Sequence, residues 1–410
     1  MNQKQERALQ LATEAGHILL ENGAEISRVE ESMDRIATHY GVEEKGFFVL
    51  SNGIIATGDG FASAKFIPIK GTQLSKVVEV NQLSRDVTDG KCTLDDLEAR
   101  LKGIRNSASK PWWELLIGIT IGIMGFCITF GGSFMDTFAS LFTGLLLGVF
   151  ITFAGKHLSR IFNNLIGGLV GGLLSILACR IFGAMGIQLH LPNIIIGNMI
   201  AMVPGVPFTN GIRDLANGDY IAGVTRLLDA FIVFFCLAVG VIVAFLLDEF
   251  FFDDLEELGN TVFDSVTSRW YIQLAAAFVG TLGFAVLFGA PRRYYLVCGF
   301  VGMLGWAVYI FTDSILLASL VLAIVSHLFA VAQRCPVTVF LICGIIPLVP
   351  GGGLFWTLCY MLTDQLRLAF NAGIESLKVT IAIAGGIIIG VAIFDRLLKN
   401  FKGTKKKYVK

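Results

Sequence analysis

A chain of 410 residues in which 54% are hydrophobic and 16% charged, with a mean hydropathy of +0.70, has too few polar side chains to cover a soluble globule of its size. Its 32 basic and 32 acidic residues cancel, and no basic-aromatic patch stands out, so no nucleic-acid partner is expected. The composition points instead to a chain that passes most of its length through a lipid bilayer.

The opening "MNQKQERALQ" has no apolar stretch after a basic start, so no signal peptide is expected there. Residues 4–22 carry a helical pattern ending at "ENG", with Gly23 as its cap. Residues 25–40 place Ile26, Val29, Met33, Ile36, Ala37 and Tyr40 on one helical face. Glu25, Glu30 and Glu31 near that helix start suit a solvated acidic face. "GFFVLSNGIIATG" has the pattern of a hairpin turning at Ser51-Asn52-Gly53, and "ASAKFIPIK" that of a further strand. "QLSKVVEVNQLSRDV" and "TLDDLEARLKGI" predict two more helices, the second capped by Thr93. Together these make residues 1–110 a small cytoplasmic α/β domain. It holds no nucleophile elbow, P-loop or other nucleotide signature, so neither an enzyme nor nucleotide-driven transport is expected.

From residue 111 the chain turns apolar. Spans are expected near 114–131, 135–154, 161–183, 193–204 and 221–247, and again near 270–289, 294–311, 314–332, 337–350 and 374–397. Between the sets lies the acidic "DEFFFDDLEELGNTVFD", and "KNFKGTKKKYVK" closes the chain. The expected division is therefore a first five-helix repeat at 111–247, an acidic extracytoplasmic linker at 248–269, a second repeat at 270–397 and a basic tail at 398–410.

The two sets correspond. Each opens on an interfacial aromatic pair, Trp112-Trp113 and Trp270-Tyr271. Each fourth member is short and ends in Val-Pro-Gly, at Pro204-Gly205 and at Pro350-Gly351-Gly352. Each fifth carries one carboxylate at the same distance past its proline, Asp229 and Glu375, 25 residues on. Five spans per repeat is odd, so the second repeat should enter from the opposite face as an inverted repeat. With the N-terminal domain inside, the connections holding Lys156, Arg160, Arg213, Arg226, Arg292, Arg293 and Arg334 also fall inside, and the acidic linker falls outside. About ten helices with both termini cytoplasmic satisfy this pattern.

Paired segments broken by Pro and Gly, in corresponding positions of two inverted halves, point to a transporter's binding site. Pro204, Gly205, Pro350, Gly351 and Gly352 are therefore expected along a substrate path, with Asn198, Thr209 and Asn210 as polar groups near the first break. Asp229 and Glu375 are the proton-coupling candidates. Arg226 and Lys378 stand three residues from them, near enough to meet them on one helix face. Gly167, Gly168, Gly171 and Gly172 form two overlapping GxxxG patterns that allow close helix contact. His157, His190 and His327 are isolated. The eight cysteines are scattered, with no CxxC and no Cys/His cluster, so neither a metal nor any other cofactor is expected.

"LLENGAEISRVEESMDRIATHYG" and "VNQLSRDVTDGKCTLDDLEARL" resemble signature stretches of the threonine/serine exporter family, and the resemblance extends over nearly the whole chain. It implies a multi-pass helical protein of the bacterial inner membrane. Such a protein exports threonine and serine as a secondary transporter driven by the proton motive force. Split relatives linked to dicarboxylate (succinate) export make that substrate the alternative. The partners implied are a small polar metabolite and the bilayer, with a homo-oligomer also open; a membrane-bound enzyme or sensor is the competing class.

Overall fold

The computed structural model describes residues 3–68, 71–251, 264 and 266–407. The chain begins with two antiparallel helices, α1 (Gln3–Glu21) and α2 (Ile26–His39). The turn between them needs a left-handed residue, and Gly23 supplies it with φ of 87°. Gly23 N–H donates to Leu20 C=O and Ala24 N–H to Leu19 C=O, which closes α1 in a Schellman pattern. The apolar face of α2 is buried at Ile26, Val29, Met33, Ile36 and Ala37.

Three strands follow, β1 (Lys45–Leu50), β2 (Gly53–Gly58) and β3 (Phe61–Phe66). They form one antiparallel sheet in the order β1-β2-β3, with Leu50 opposite Gly53 across the expected hairpin. The strands do not alternate with helices. The expected α/β arrangement is thus an antiparallel meander packed on helices, with α3 (Leu74–Thr88) and α4 (Leu94–Asn106) completing it. Thr93 caps α4 in a reciprocal box with Asp96. These elements share a core of their own, built on Leu9, Leu19, Val29, Met33 and Leu97.

The apolar part begins with α5 (Trp112–Thr129) and α6 (Phe134–Val149), the latter running through a π turn to Ala154. After α7 (Arg160–Ala184) come two short helices, α8 (Leu191–Ile200) and α9 (Gly205–Asn217), bent by 65°. The long α10 (Tyr220–Phe251) follows, then α11 (Trp270–Leu287), α12 (Tyr295–Thr312) and α13 (Ile315–Gln333). A second bent pair, α14 (Thr338–Ile345) and α15 (Gly351–Leu362), turns by 50°, and α16 (Leu366–Lys407) ends the described chain. Among the described residues eight helices are long and apolar enough to cross a membrane, or ten if each bent pair is one span. This is a multi-pass helical membrane protein.

Three expectations are corrected. The fourth members at 193–204 and 337–350 do not stop at the proline, because a new helix starts at the glycine that follows it. The last span starts at Leu366 rather than 374, and its helix runs on through Lys407. Of the expected linker 248–269, residues 248–251 belong to α10, while 252–263 and 265 lie outside the described residues.

Small residues set how closely the helices approach. α5 and α11 cross antiparallel: a Cβ on Gly118 would meet Val286 and the Gly283 carbonyl, one on Gly122 would meet Phe284, and one on Gly125 would lie 2.6 Å from the Gly280 Cα. The doubled GxxxG divides its duties. Gly168 and Gly172 face α10, against Leu237 and Ala244, while Gly167 and Gly171 face Met202 and Met199. On α10 the reciprocal contact is Gly240 against Leu165; on α16 it is Gly386 against Leu316 and Ser319 of α13. Seven of the eight cysteines are buried.

Gly125→Val forces a branched side chain into the α11 backbone, whereas Gly183 faces open space. We expect Gly125→Val to lower the thermal midpoint of the purified protein, at a cost of about 1–3 kcal/mol or more. Gly183→Ala should leave it unchanged. A midpoint for Gly125→Val equal to that of Gly183→Ala would remove the close crossing of α5 and α11.

Candidate functional site

Both Val-Pro-Gly motifs fold in the same way. Val203 N–H donates to Met199 C=O, and Val349 N–H to Ile345 C=O, so each valine ends its half-helix. The prolines then sit at φ −77°, ψ 56° (Pro204) and φ −75°, ψ 44° (Pro350). Proline fixes φ and carries no N–H, so the chain turns without leaving a donor unsatisfied. The glycine N–H reaches back to the valine carbonyl, at 2.8 Å for Gly205 to Val203 and 2.7 Å for Gly351 to Val349. Each motif is thus an inverse γ-turn that closes one helix and opens the next.

The two breaks meet. A Cβ at Gly205 would lie 2.6 Å from Ile346 Cδ1, and one at Gly351 would lie 3.1 Å from Val203 Cγ1. Gly352 faces Ile196 at ordinary contact distance. α15 also packs on α10 and α9 on α16, so each break is bedded in the other half of the chain.

Beside the second break lies a cavity of about 520 Å³. One wall is the break itself, with Pro350, Gly352, Gly353 and Trp356; another is α16, with Glu375 and Ser376. Opposite stand Gln273, Trp306 and Tyr309. The Trp306 indole donates to Gln273 Oε1 at 3.1 Å, and Gln273 Nε2 donates to the carbonyls of Ile128 and Thr267 at 2.9 and 3.1 Å. That bracing holds the Trp306 ring against the cavity. Trp356 is only 7% exposed, and its Nε1 has no hydrogen-bond partner among the described residues. Thr129 and Phe130 also line the cavity, at the end of α5 away from Glu114. Glu114 and Thr129 stand about 22 Å apart along one helix, so the cavity lies at the end of the bundle remote from residues 3–106.

The expected site residues therefore divide. Pro350, Gly352 and Glu375 line the cavity; Gly351 is packed behind it on Val203. Pro204 and Gly205 are buried at the first break and do not line it. Asn198 is fully buried, accepting from Thr143 Oγ1 at 3.0 Å and donating to Ser175 Oγ at 2.9 Å, which ties α8 to α6 and α7. Thr209 returns its hydroxyl to the Gly205 carbonyl within α9. Asn210 donates to the Gly23 carbonyl at 2.8 Å, so it faces the α1–α2 turn. Glu375 does pair with Lys378, at 2.7 Å, with its side chain 69% exposed. Asp229 does not meet Arg226. It pairs with Arg160 at 3.1 Å, because Arg226 is turned inward.

Arg226 belongs to a buried cluster that local spacing did not reveal. It donates to Asp214 Oδ2 at 2.7 Å and to the Ala24 carbonyl at 3.0 Å. Asp214 Oδ1 accepts the Ile26 N–H, and Arg213 pairs with Glu25. Glu25 is 2% exposed, which overturns the expected solvated position for this residue of the acidic cluster. Glu31 keeps that role, with Arg28 and Arg35 beside it. Burial raises the Glu30 pKa, and the charge of Asp219 adds to the effect. The α1–α2 turn is thus bolted to α9, the second half of the first broken span, and to the start of α10. A second tie runs from Leu74 N–H to the Phe288 carbonyl and from Ser75 N–H to Gly289. Beside it Lys110 reaches both Glu114 and Tyr295, and Arg292 also holds Glu114. Burial lowers the Lys110 pKa while Glu114 opposes the shift. The sequence signal for the main cluster was "TNGIRDLANG", whose charges look like a connection until α9 is seen to be a helix.

Two broken helices that meet beside a cavity inside a multi-pass bundle are an arrangement found in membrane transporters. The comparisons agree. A threonine/serine exporter family model (ThrE) matches residues 10–247, and a second, described as "Threonine/Serine exporter, ThrE", matches residues 273–393. The chain belongs to the threonine/serine exporter family, whose members are transporters and not enzymes. It is similar to the threonine/serine exporter of Corynebacterium glutamicum, at 22% identity over 407 residues, covering 95% of this chain and 83% of that protein. No solved structure matches this chain.

Arg226 tests the docking of the α1–α2 turn. Arg226→Met leaves Asp214 buried without its cation, at a cost of about 3–5 kcal/mol. Thermal unfolding should register that loss, and the turn at residues 22–27 should become protease-sensitive. Adding Asp214→Leu should recover part of the stability without restoring the protection. An undiminished midpoint in the single variant would show that the cluster does not hold the turn.

Proposed function

We propose that this chain is a secondary exporter of threonine and serine, driven by the proton motive force across a bacterial cytoplasmic membrane. The observation that carries this reading is the crossing of the two Val-Pro-Gly breaks beside a cavity. Helix ends at membrane depth survive only against protein or a water-lined space, and here they have both. The family membership and the printed name of the Corynebacterium relative support the substrate class.

We read the two halves, 111–247 and 270–397, as inverted repeats with both termini cytoplasmic. The α5–α11 crossing supports this. A shift of 158 residues carries Trp112 onto Trp270. The same shift maps the contact of Gly118 with Gly283 onto that of Ala276 with Gly125, and maps Gly122–Gly280 onto itself. An axis perpendicular to both helices has that property, and such an axis lies in the membrane plane. On this topology the cavity faces the extracytoplasmic side, the segment between the halves lies outside, and residues 1–110 lie inside.

The substrate path then runs from the cytoplasmic end of the bundle through the crossing of the breaks at Pro204-Gly205 and Pro350-Gly351, into the cavity. Residues 1–110 act as the inner gate, because their α1–α2 turn grips α9 just beyond the first break. Of the two coupling candidates, Glu375 is favoured. It lines the cavity, within reach of protons from outside, whereas Asp229 is paired with Arg160 away from it.

The deciding measurement is efflux of labelled threonine, serine and succinate from loaded proteoliposomes, with and without an inward proton gradient. Gradient-driven threonine and serine efflux is expected; efflux of succinate alone would transfer the chain to dicarboxylate export. Glu375→Gln should insert normally and lose gradient-driven efflux while keeping downhill exchange, and Asp229→Asn should pump. Normal pumping by Glu375→Gln would rule out the coupling role. The topology is checked separately: Val266→Cys should label from outside and Arg293→Cys only from inside.

A further inference from the structure

The cavity beside the second break carries one charged side chain. Among the described residues that line it, Glu375 is the sole carboxylate, and no lysine, arginine or histidine stands with it. The walls from α5, α8, α11, α13 and α15 hold no titratable side chain, and α12 adds only the Tyr309 phenol. The other polar side chains are committed elsewhere. Thr129 and Ser376 return their hydroxyls to the carbonyls of Gly125 and Ala372 at 2.9 and 2.7 Å, Ser268 returns its own to Asp264, and Gln273 braces Trp306.

α16 presents this carboxylate to the cavity. Its lining residues, Ala372, Glu375, Ser376 and Val379, recur at the three- and four-residue spacing of a single helix face, with Glu375 in the middle. Lys378 takes only Oε1, at 2.7 Å, and Oε2 has no hydrogen-bond partner among the described residues. Lys378 is not part of the lining, and an exposed pair on one helix surface is weak, so a ligand can displace it. Phe130, Trp306 and Trp356 add aromatic walls. Such rings favour a cation over an anion, and the water they displace no longer screens a charge pairing made beside them.

We propose that Glu375 is the specificity-determining residue of the cavity, and that its carboxylate takes the α-ammonium of the exported amino acid. A carboxylate with no cationic side chain beside it in the lining attracts an ammonium and repels a second anion brought to the same place. The cavity therefore suits an amine-bearing substrate and opposes a dicarboxylate. The same group joins selection to coupling. A carboxylate that has taken a proton has lost the charge with which an ammonium pairs. Proton and ammonium thus exclude each other at Glu375, which is the exchange that an exporter driven by inward protons requires. Lys378 on α16 and Tyr309 on α12 are the charged and titratable neighbours that act on it.

This inference rests on the amino-acid export reading for its substrate, and the test separates the two. Calorimetry on the full-length protein in detergent measures binding of four probes. Threonine carries both charges, threoninamide keeps only the ammonium, 2,3-dihydroxybutyrate replaces the ammonium by a hydroxyl, and succinate is a dianion. The wild type should bind threonine and threoninamide at least tenfold more tightly than the other two. Glu375→Gln keeps the size and removes the charge. It should weaken threonine and threoninamide roughly tenfold to a hundredfold and close the gap to 2,3-dihydroxybutyrate, so that its downhill exchange needs correspondingly more threonine. Glu375→Ala covers the case in which Glu375→Gln does not fold, and Glu375→Asp should restore part of the preference. Lys378→Gln should bind threonine at least as tightly as the wild type, whereas a merely structural ion pair would make the Glu375 and Lys378 variants behave alike. If the folded neutral variants keep the preference for the ammonium probes, the role of Glu375 is overturned while the exporter reading stands. If threonine does not bind but threoninamide does, and only with Glu375 present, the amino-acid reading fails and the ammonium site stands. Wild-type binding of 2,3-dihydroxybutyrate or succinate as tight as that of threonine, or binding of no probe, overturns the proposal.

Discussion

A helix that stops inside an apolar layer strands backbone donors and acceptors where water cannot satisfy them, and the organisation of this protein follows from how two such stops are managed. At each one a valine closes the incoming helix, a proline turns the chain without a donor of its own, and a glycine returns its N–H to the valine carbonyl. What remains is the start of the outgoing helix. At Gly205 that start is covered by Ile346; at Gly352 and Gly353 it faces a cavity. The breaks need each other as neighbours, because the apolar side chains around one, Ile200 and Val203, are the packing surface for the other. A crossing in the middle of the bundle is therefore a requirement of backbone chemistry.

Close helix approach makes the crossing possible. In a bilayer the lipid tails compete with apolar side chains, so helices gain little from burying leucine and more from letting backbones touch. Gly118, Gly122 and Gly125 on α5 against Gly280 and Gly283 on α11 bring the first helices of the two halves together, and Gly168 and Gly172 do the same for α7 and α10. The corresponding positions of the second half use Ser319 and Ala323 against Gly386 and Gly390. Small residues thus set the approach of both helix pairs, with glycines on α7 and α10 in one and on α16 in the other.

The attachment of residues 3–106 follows a different rule. Its contact with α9 and α10 contains buried charges: Glu25, Arg213, Asp214 and Arg226. Buried ions are tolerated only when paired and hydrogen-bonded, and such a cluster adds little stability over an apolar contact. In this position the turn at Gly23–Ile26 satisfies Asn210, Arg226 and Asp214 together. It lies at one end of the bundle, with the cavity at the other, so the two bent helix pairs link the docked domain to the cavity.

Much of this was legible in the sequence because it depends on short-range chemistry. Apolar run length located the unbroken spans, though it put the start of the last at 374 rather than Leu366; Gly23, the Ser51–Asn52 turn and the Thr93 cap follow from local backbone rules; the doubled Val-Pro-Gly is visible as a repeat. The helices after the breaks were not. "GGG" is a weak helix start by propensity and "TNGIRDLANG" is polar, yet both are helical because the opposite half packs on them. Partner choice was equally hidden: Arg226 lies three residues from Asp229 in the chain and pairs instead with Asp214, while Glu25, apparently a surface residue, is buried against Arg213. The sequence alone determined where the chain crosses apolar depth and where its backbone must break, because proline, glycine and hydrophobic length act within a few residues. Which charges meet, and which helix end faces the cavity, was decided by the tertiary structure, because those depend on elements brought together from more than a hundred residues apart.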